Sequence, residues 1–264
     1  MNSTPHLSIE ATADRITPLI RSHALTSFRS MVAGSIAQSG DGFLRIVTGA
    51  PHPFGNFACM TDGLDQARVM SVIEPLVACG APSAVICCGV GGQHADAELV
   101  ANGFAKSSGL IAQAVDIAKL ASTTLASGYR FARASSLSER GAWSDALARA
   151  YGLPVGAAAP FATALGEQTA HDASLQYFWI LKGEEPVCTS VLCMPDGVAG
   201  IYAVATTSAE RGKGLGACAT AEPLRIAHAL GYRVGVLQAT QEGHPVYRRL
   251  GFGDFGELPL YLRA

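Results

Sequence analysis

Charged side chains are scarce in this chain. Asp, Glu, Lys and Arg make up 15% of 264 residues, and 19 basic against 21 acidic side chains leave a formal charge of −2. Average globular proteins carry about 25% charged residues. A disordered chain needs high charge and few apolar residues, whereas hydrophobic residues here reach 49%, so disorder is excluded. No long run of Lys and Arg occurs and the pI is about 6.4, which argues against a broad nucleic-acid surface. Also missing is an unbroken apolar stretch of the ~20 residues that a membrane helix needs. The one tempting window, residues 186–209, has Asp196 as its sole charge, but Pro195-Asp196-Gly197 at its middle reads as a hairpin turn. The first residues have no basic start followed by an apolar core, so no signal peptide is expected. The seven cysteines are odd in number and show no CxxC or Cys/His metal spacing; they read as small buried thiols of a cytoplasmic protein without a metal. His171, His228 and His244 are likewise lone histidines without ligand spacing.

What is present is an alternation of helical and strand patterns, met twice. Apolar spacing predicts a helix over residues 12–38, a strand over 43–48, a short strand over 56–60, a helix over 65–79, a buried strand over 84–88 and a short helix over 95–101. The second half has a helix over 138–151 with Trp143, Leu147 and Ala150 on one face. A strand meander follows over 177–181, 187–193 and 198–205, then a helix over 217–230 stopped by Gly231. A strand at 234–239, a short helix through Tyr247 and a strand at 258–262 complete it. Glu74-Pro75-Leu76 and Glu222-Pro223-Leu224 occupy matching places, as do Gly103-Phe104 and Gly251-Phe252. This similarity of order predicts two related α/β halves, residues 1–125 and 126–264.

The stretch Ala203-Val204-Ala205-Thr206-Thr207-Ser208-Ala209-Glu210-Arg211-Gly212-Lys213-Gly214-Leu215-Gly216-Ala217 carries the chemistry. An apolar strand runs into Arg-x-x-Gly-x-Gly, and a small-residue helix starts at once. Glycines let backbone approach a ligand, successive N–H groups converge, and the helix N-terminus adds partial positive charge. With Arg211 and Lys213 beside it, this is a pyrophosphate cradle. It is not a Walker loop, because Lys213 precedes Gly214 rather than Ser or Thr. It is not a Rossmann loop, because it follows an antiparallel meander instead of opening a βαβ unit. Gly89-Val90-Gly91-Gly92 is a weaker rival, with His94 at its third glycine position.

Arg211, Gly214 and Gly216 match the Arg/Gln-x-x-Gly-x-Gly/Ala signature of the GNAT superfamily of N-acetyltransferases, and Val246-Tyr247-Arg248-Arg249-Leu250-Gly251-Phe252 looks like that family's closing element. Over residues 126–264 the chain therefore resembles that superfamily. The first half looks like a degenerate copy, with Thr61-Asp62-Gly63-Leu64-Asp65 in place of the loop: two acids and no Arg. The resemblance implies an α/β (α+β) fold with two mixed, mostly antiparallel sheets flanked by helices. It implies that acetyl-CoA is held by Val204, Ala205, Thr206 and residues 211–217, in the second half only. It further implies that the Val204 N–H polarises the thioester carbonyl and that Tyr247 protonates the departing thiolate. The expected partner is a small amine-bearing acceptor, taken by a monomer or homodimer without metal, nucleic acid or membrane. The acceptor slot is expected from the Trp143 helix, Phe161 and Asp254-Phe255-Gly256. The alternatives are a non-catalytic coenzyme A-binding module and a nucleotide-binding enzyme using Gly89–Gly92.

Overall fold

A computed structural model describes residues 16–32, 37–61, 63–89, 93–163 and 174–264. Asp62, Val90 to Gly92 and His171 lie outside them, so the rival glycine loop is described only at Gly89. The first half runs α1 (Ile16–Met31), β1 (Ala37–Gly40), β2 (Phe43–Val47), β3 (Asn56–Met60), α2 (Gln66–Ala78), β4 (Ser83–Cys87), α3 (Gln93–Ala101) and β5 (Ala105–Asp116). The second runs β6 (Tyr129–Arg133), α4 (Leu137–Ala150), α5 (Ala159–Thr163), β7 (Leu175–Lys182), β8 (Glu185–Cys193), β9 (Ala199–Thr206), α6 (Leu215–Ala229), β10 (Val234–Ala239), α7 (His244–Leu250) and β11 (Gly253–Arg263).

Local chemistry sets these limits. Asp65 caps α2, its carboxylate accepting from the Arg68 N–H at 2.8 Å. Ser136 and Glu139 form a reciprocal capping box on α4. Ala37 and Gln38, expected at the end of the first helix, instead pair with Ile46 and Arg45 across the Asp41-Gly42 turn, where Gly42 takes φ +77. The turn after β8 holds Asp196 at φ +58 and Gly197 at φ +76, the mirror-image geometry a tight hairpin needs.

The α/β class is mixed and mostly antiparallel, as expected, but the strands form one sheet rather than two, in the order β1-β2-β3-β4-β11-β5-β10-β9-β8-β7-β6. The centre explains the join. β11 pairs antiparallel with β4 on one side and β5 on the other, and β5 pairs in turn with β10. The closing strand of each half thus lies against the other half's core strands. Side-chain alternation divides the core between the two faces. Phe57, Cys59, Ala84, Ile86, Tyr177 and Trp179 point to the face covered by α1 and α4. Ala58, Met60, Val85 and Cys87 point to α2 and α3. Leu192 and Ile201 point to α6. Trp143, Leu147 and Ala150 are buried as the α4 pattern predicts, and the Trp143 indole donates to the Phe178 carbonyl at 2.9 Å.

Candidate active site

The site opens where two parallel strands part. β9 and β10 pair only at Ala199 with Gly235 and Gly200 with Val236; β9 then continues to Thr206 with no strand on that side. A wedge from the other half fills the fork. His23 of α1 is fully buried, its Nδ1 lies 2.8 Å from the Tyr202 hydroxyl and 3.1 Å from the Ser27 hydroxyl, and its ring packs so closely on Gly200 that a Cβ there would meet Cε1 at 2.2 Å. Burial pulls the His23 pKa down to about 3, so the ring is neutral.

Above the fork β9 carries a bulge. Thr189 faces Ala205 and Val191 faces Tyr202, so two steps on β8 span three on β9. Ala203 takes up the extra residue at φ +50, a left-handed conformation costing about 1–2 kcal/mol outside glycine, and the Thr189 hydroxyl pins its carbonyl at 2.9 Å. Main-chain groups of Val204, Ala205 and Thr206 therefore border an edge that an extended ligand can join as a further strand.

The loop after β9 brings the helix to this edge. Gly212 (φ +78) and Gly214 (φ +77) are left-handed, and a Cβ on either would meet nothing within 4 Å. Gly214 caps α6 without any side-chain hydrogen bond, so the helix's first-turn N–H groups have no carboxylate or hydroxyl on them. Gly216, in that first turn, faces Val204 and Thr206: a Cβ on it would lie 3.8 and 4.0 Å from their side chains. The two cations expected to supply charge are already engaged. Arg211 donates to the Thr206 and Ala150 carbonyls, both at 3.2 Å. Lys213 lies 2.7 Å from Glu210, whose other carboxylate oxygen meets Lys182 at 2.8 Å and whose third partner is the Tyr129 hydroxyl. Lys182, Lys213 and that hydroxyl hold the Glu210 pKa down to about 2. Apart from these engaged cations, the loop presents main-chain N–H groups and the positive end of the α6 dipole.

Tyr247 completes this end. It sits on α7, packs edge-on against Phe252 at 6.0 Å between ring centres, and covers Gly243, where a Cβ would approach its ring to 3.0 Å. Burial, with Tyr151 and Cys188 nearby, pushes its hydroxyl pKa well above the usual phenol value. Val204, Ala205, Thr206, Arg211, Gly212, Gly214, Leu215, Gly216, Ala217 and Tyr247 all line one cavity of about 850 Å³; Lys213, also expected there, lies beside it on Glu210.

Sequence reading missed the other wall. Phe28, His52, Phe54 and Phe57 of the first half, with Tyr151 of the second, line the same cavity. Of the parts expected to shape the acceptor slot, the Trp143 helix reaches the cavity at its end, through Ala150 and its C-cap Tyr151, while Trp143 itself is sealed in the core; Asp254-Phe255-Gly256 lies within β11 and does not line the cavity. Phe161 contributes only from behind, stacked on Phe54 at 4.2 Å. The Pro53 turn, between strands and rich in aromatic residues, was the available signal.

Among the described residues, the matching place in the first half lacks both parts of the cradle. β3 and β4 stay paired from Phe57–Ala84 through Met60–Cys87, leaving no fork, and the Asp65 carboxylate occupies the N-terminus of α2. At Gly89 the carbonyl accepts from Arg21. Among the described residues no group of three His, Cys, Asp or Glu side chains is placed to hold a metal, and no helix is long and apolar enough to cross a membrane.

No protein-family model matches the chain, and no curated protein matches it by sequence. Solved structures do. A GCN5-related N-acetyltransferase from Kribbella flavida superposes with a TM-score of 0.59 at 20% identity, covering 92% of this chain and 93% of its own. A second, from Sphaerobacter thermophilus, gives 0.59 at 14% identity over 86% and 81%. A tandem GNAT protein from the clavulanic acid biosynthesis pathway gives 0.55 at 13% identity over 97% and 96%. The chain has the GNAT fold, and these matches span both halves of it.

Proposed function

We propose that the chain is an N-acetyltransferase that moves the acetyl group of acetyl-CoA directly to a primary amine. The observation that carries this reading is the meeting of an uncapped helix N-terminus, an open strand edge and a partly buried tyrosine in one cavity. Acetyl-CoA is a substrate here, and the parts present suit its parts. The α6 N–H groups behind Gly212 and Gly214 suit a pyrophosphate, and the free edge of β9 suits the amides of a pantetheine arm.

The amine attacks as the free base, since an ammonium has no lone pair. Its nitrogen bonds to the thioester carbon and the carbonyl oxygen takes up negative charge. The Val204 N–H stabilises that oxygen; one such donor is worth about 3 kcal/mol. Collapse breaks the carbon–sulfur bond, the sulfur leaves with the electron pair, and Tyr247 gives it a proton. The nitrogen's extra proton passes to solvent. No covalent intermediate on the chain is required.

Calorimetry with acetyl-CoA and thiol release with a panel of amines test this together. One coenzyme should bind per chain, because at the matching place in the first half β3 and β4 do not part and Asp65 caps α2. Two would overturn the degenerate-copy reading. Binding without turnover of any amine would favour a coenzyme A-binding module, and stabilisation by NAD instead would favour the nucleotide reading.

A further inference from the structure

The wall supplied by the first half is chemically unlike the coenzyme end. Aromatic residues are only 7% of this chain, yet Phe28, Phe54, Phe57, Tyr151 and Tyr202 converge on this cavity. They form a continuous series of ring contacts. Phe54 stacks on Tyr151 at 4.9 Å and on Phe161 at 4.2 Å, Phe161 faces Phe57 at 6.3 Å, and Phe28 meets Phe57 and Tyr202 edge-on at 5.5 and 5.6 Å. Ile86, Leu110 and Leu260 add aliphatic surface, while the cavity's carboxylates and guanidiniums (Glu210, Arg211, Glu242 and Arg249) all belong to the second half. Tyr151, with its ring against Phe54 and His52, remains 38% exposed.

His52 is the one polar side chain that the first half places on this wall, beside the hydroxyls of Tyr151 and Tyr202. His52 accepts the Phe54 N–H on Nδ1 at 3.0 Å, and burial lowers its pKa, so at neutral pH its proton is on Nε2. His52 is therefore a hydrogen-bond donor there and not a base. A carboxylate, phosphate or polyhydroxylated body would lose its hydration against these rings and find only His52 Nε2 and the tyrosine hydroxyls in return. A flat apolar body would gain by stacking and by burial.

Taking the acetyl-transfer reading as its premise, we propose that the acceptor is a primary amine carried on an uncharged aromatic body, which the first half binds against the ring cluster of Phe54, Phe57 and Tyr151. The first half is then the specificity-determining part of the enzyme.

The probes are 2-phenylethylamine, n-propylamine, spermidine and glucosamine, measured by acetyl-CoA-dependent thiol release with the full chain. The value of kcat/KM for 2-phenylethylamine should exceed each of the others at least tenfold. In Phe54→Ala it should fall at least tenfold further than that of n-propylamine, with Phe54→Leu between; circular dichroism of both variants checks that they are folded. Equal or better turnover of spermidine or glucosamine would overturn the proposal while leaving acetyl transfer intact. So would a Phe54→Ala loss that tracks the length of the acyl chain on the donor instead of the amine, because the rings would then hold the acyl group. Should no amine turn over, calorimetry of 2-phenylethylamine against spermidine decides. Saturable binding of the former alone, lost in Phe54→Ala, upholds the aromatic subsite and sinks the transferase reading; absence of binding sinks the subsite.

Discussion

At Gly214 the backbone is left-handed and α6 begins with no side chain over its N–H groups. Asp at this position strains the turn by about 1–2 kcal/mol and sets a carboxylate where an anion is to bind. Acetyl-CoA affinity should drop well over tenfold by calorimetry in a variant whose circular dichroism is native; unchanged affinity would mean that the cradle is misplaced. Tyr247 makes a different demand. Its raised pKa keeps the hydroxyl protonated across the neutral range and beyond pH 10, so it is available as an acid wherever the amine is free. Rates should climb from pH 6 to 9 as the amine deprotonates and decline only above about pH 10. Tyr247→Phe keeps the packing on Phe252 and should cost ten- to a thousandfold in kcat, with acetyl-CoA affinity nearly unchanged. Full activity in that variant would assign the proton to water or another group. These residues were legible in the sequence because glycine spacing and a following helix imply a turn with few alternatives. Phe28, Phe54 and Phe57 were not, since an aromatic ring bound for a cavity wall has the same local pattern as one bound for the core.

Elements hold the site open. The fork between β9 and β10 persists because His23 sits in it, a polar wedge from α1 that no local pattern of the second half could announce. β5 was missed for a related reason. Its first residues, Ala-Lys-Ser-Ser-Gly, are polar and carry a glycine, and they become a strand only because β11 pairs beside them, with Glu257 packed over Gly109 and accepting its N–H at 3.0 Å. Elements with strong periodicity or caps, such as α4, needed no such partner to be read. The wedge has a pH signature. His23 has a folded pKa of about 3 against 6.5 in an open chain, so its neutral form is stabilising above pH 6.5, and that stability is lost as pH falls from 6.5 toward 3. The loss is about 1.4 kcal/mol per pH unit in that window. Urea midpoints at pH 7 and 4.5 should therefore differ less in His23→Gln than in the unmodified protein. Equal differences would show that the ring protonates in place.

Over the whole molecule, the order of strands in the sheet departs from the order of halves in the chain. β10 has β9 on one side for only two residue pairs, and its main support is the six-residue antiparallel pairing with β5, from Val234–Asp116 to Ala239–Ile111. β11 in turn lies between β4 and β5, both from the first half. A 126–264 fragment retains the Arg211–Ala217 loop and Tyr247 but loses both supports, the His23 wedge and the aromatic wall. Val236 and Leu258, completely buried in the intact sheet, would then border unpaired strand edges, a situation that favours aggregation over folding. The fragment alone should show no cooperative melting transition and no acetyl-CoA binding, and mixing it with a separately produced 1–125 chain should restore both. A fragment that melts cooperatively and binds the coenzyme with the affinity of the full chain would show that the second half folds unaided. The shared central strands would then join two finished units and would not be needed to build the site.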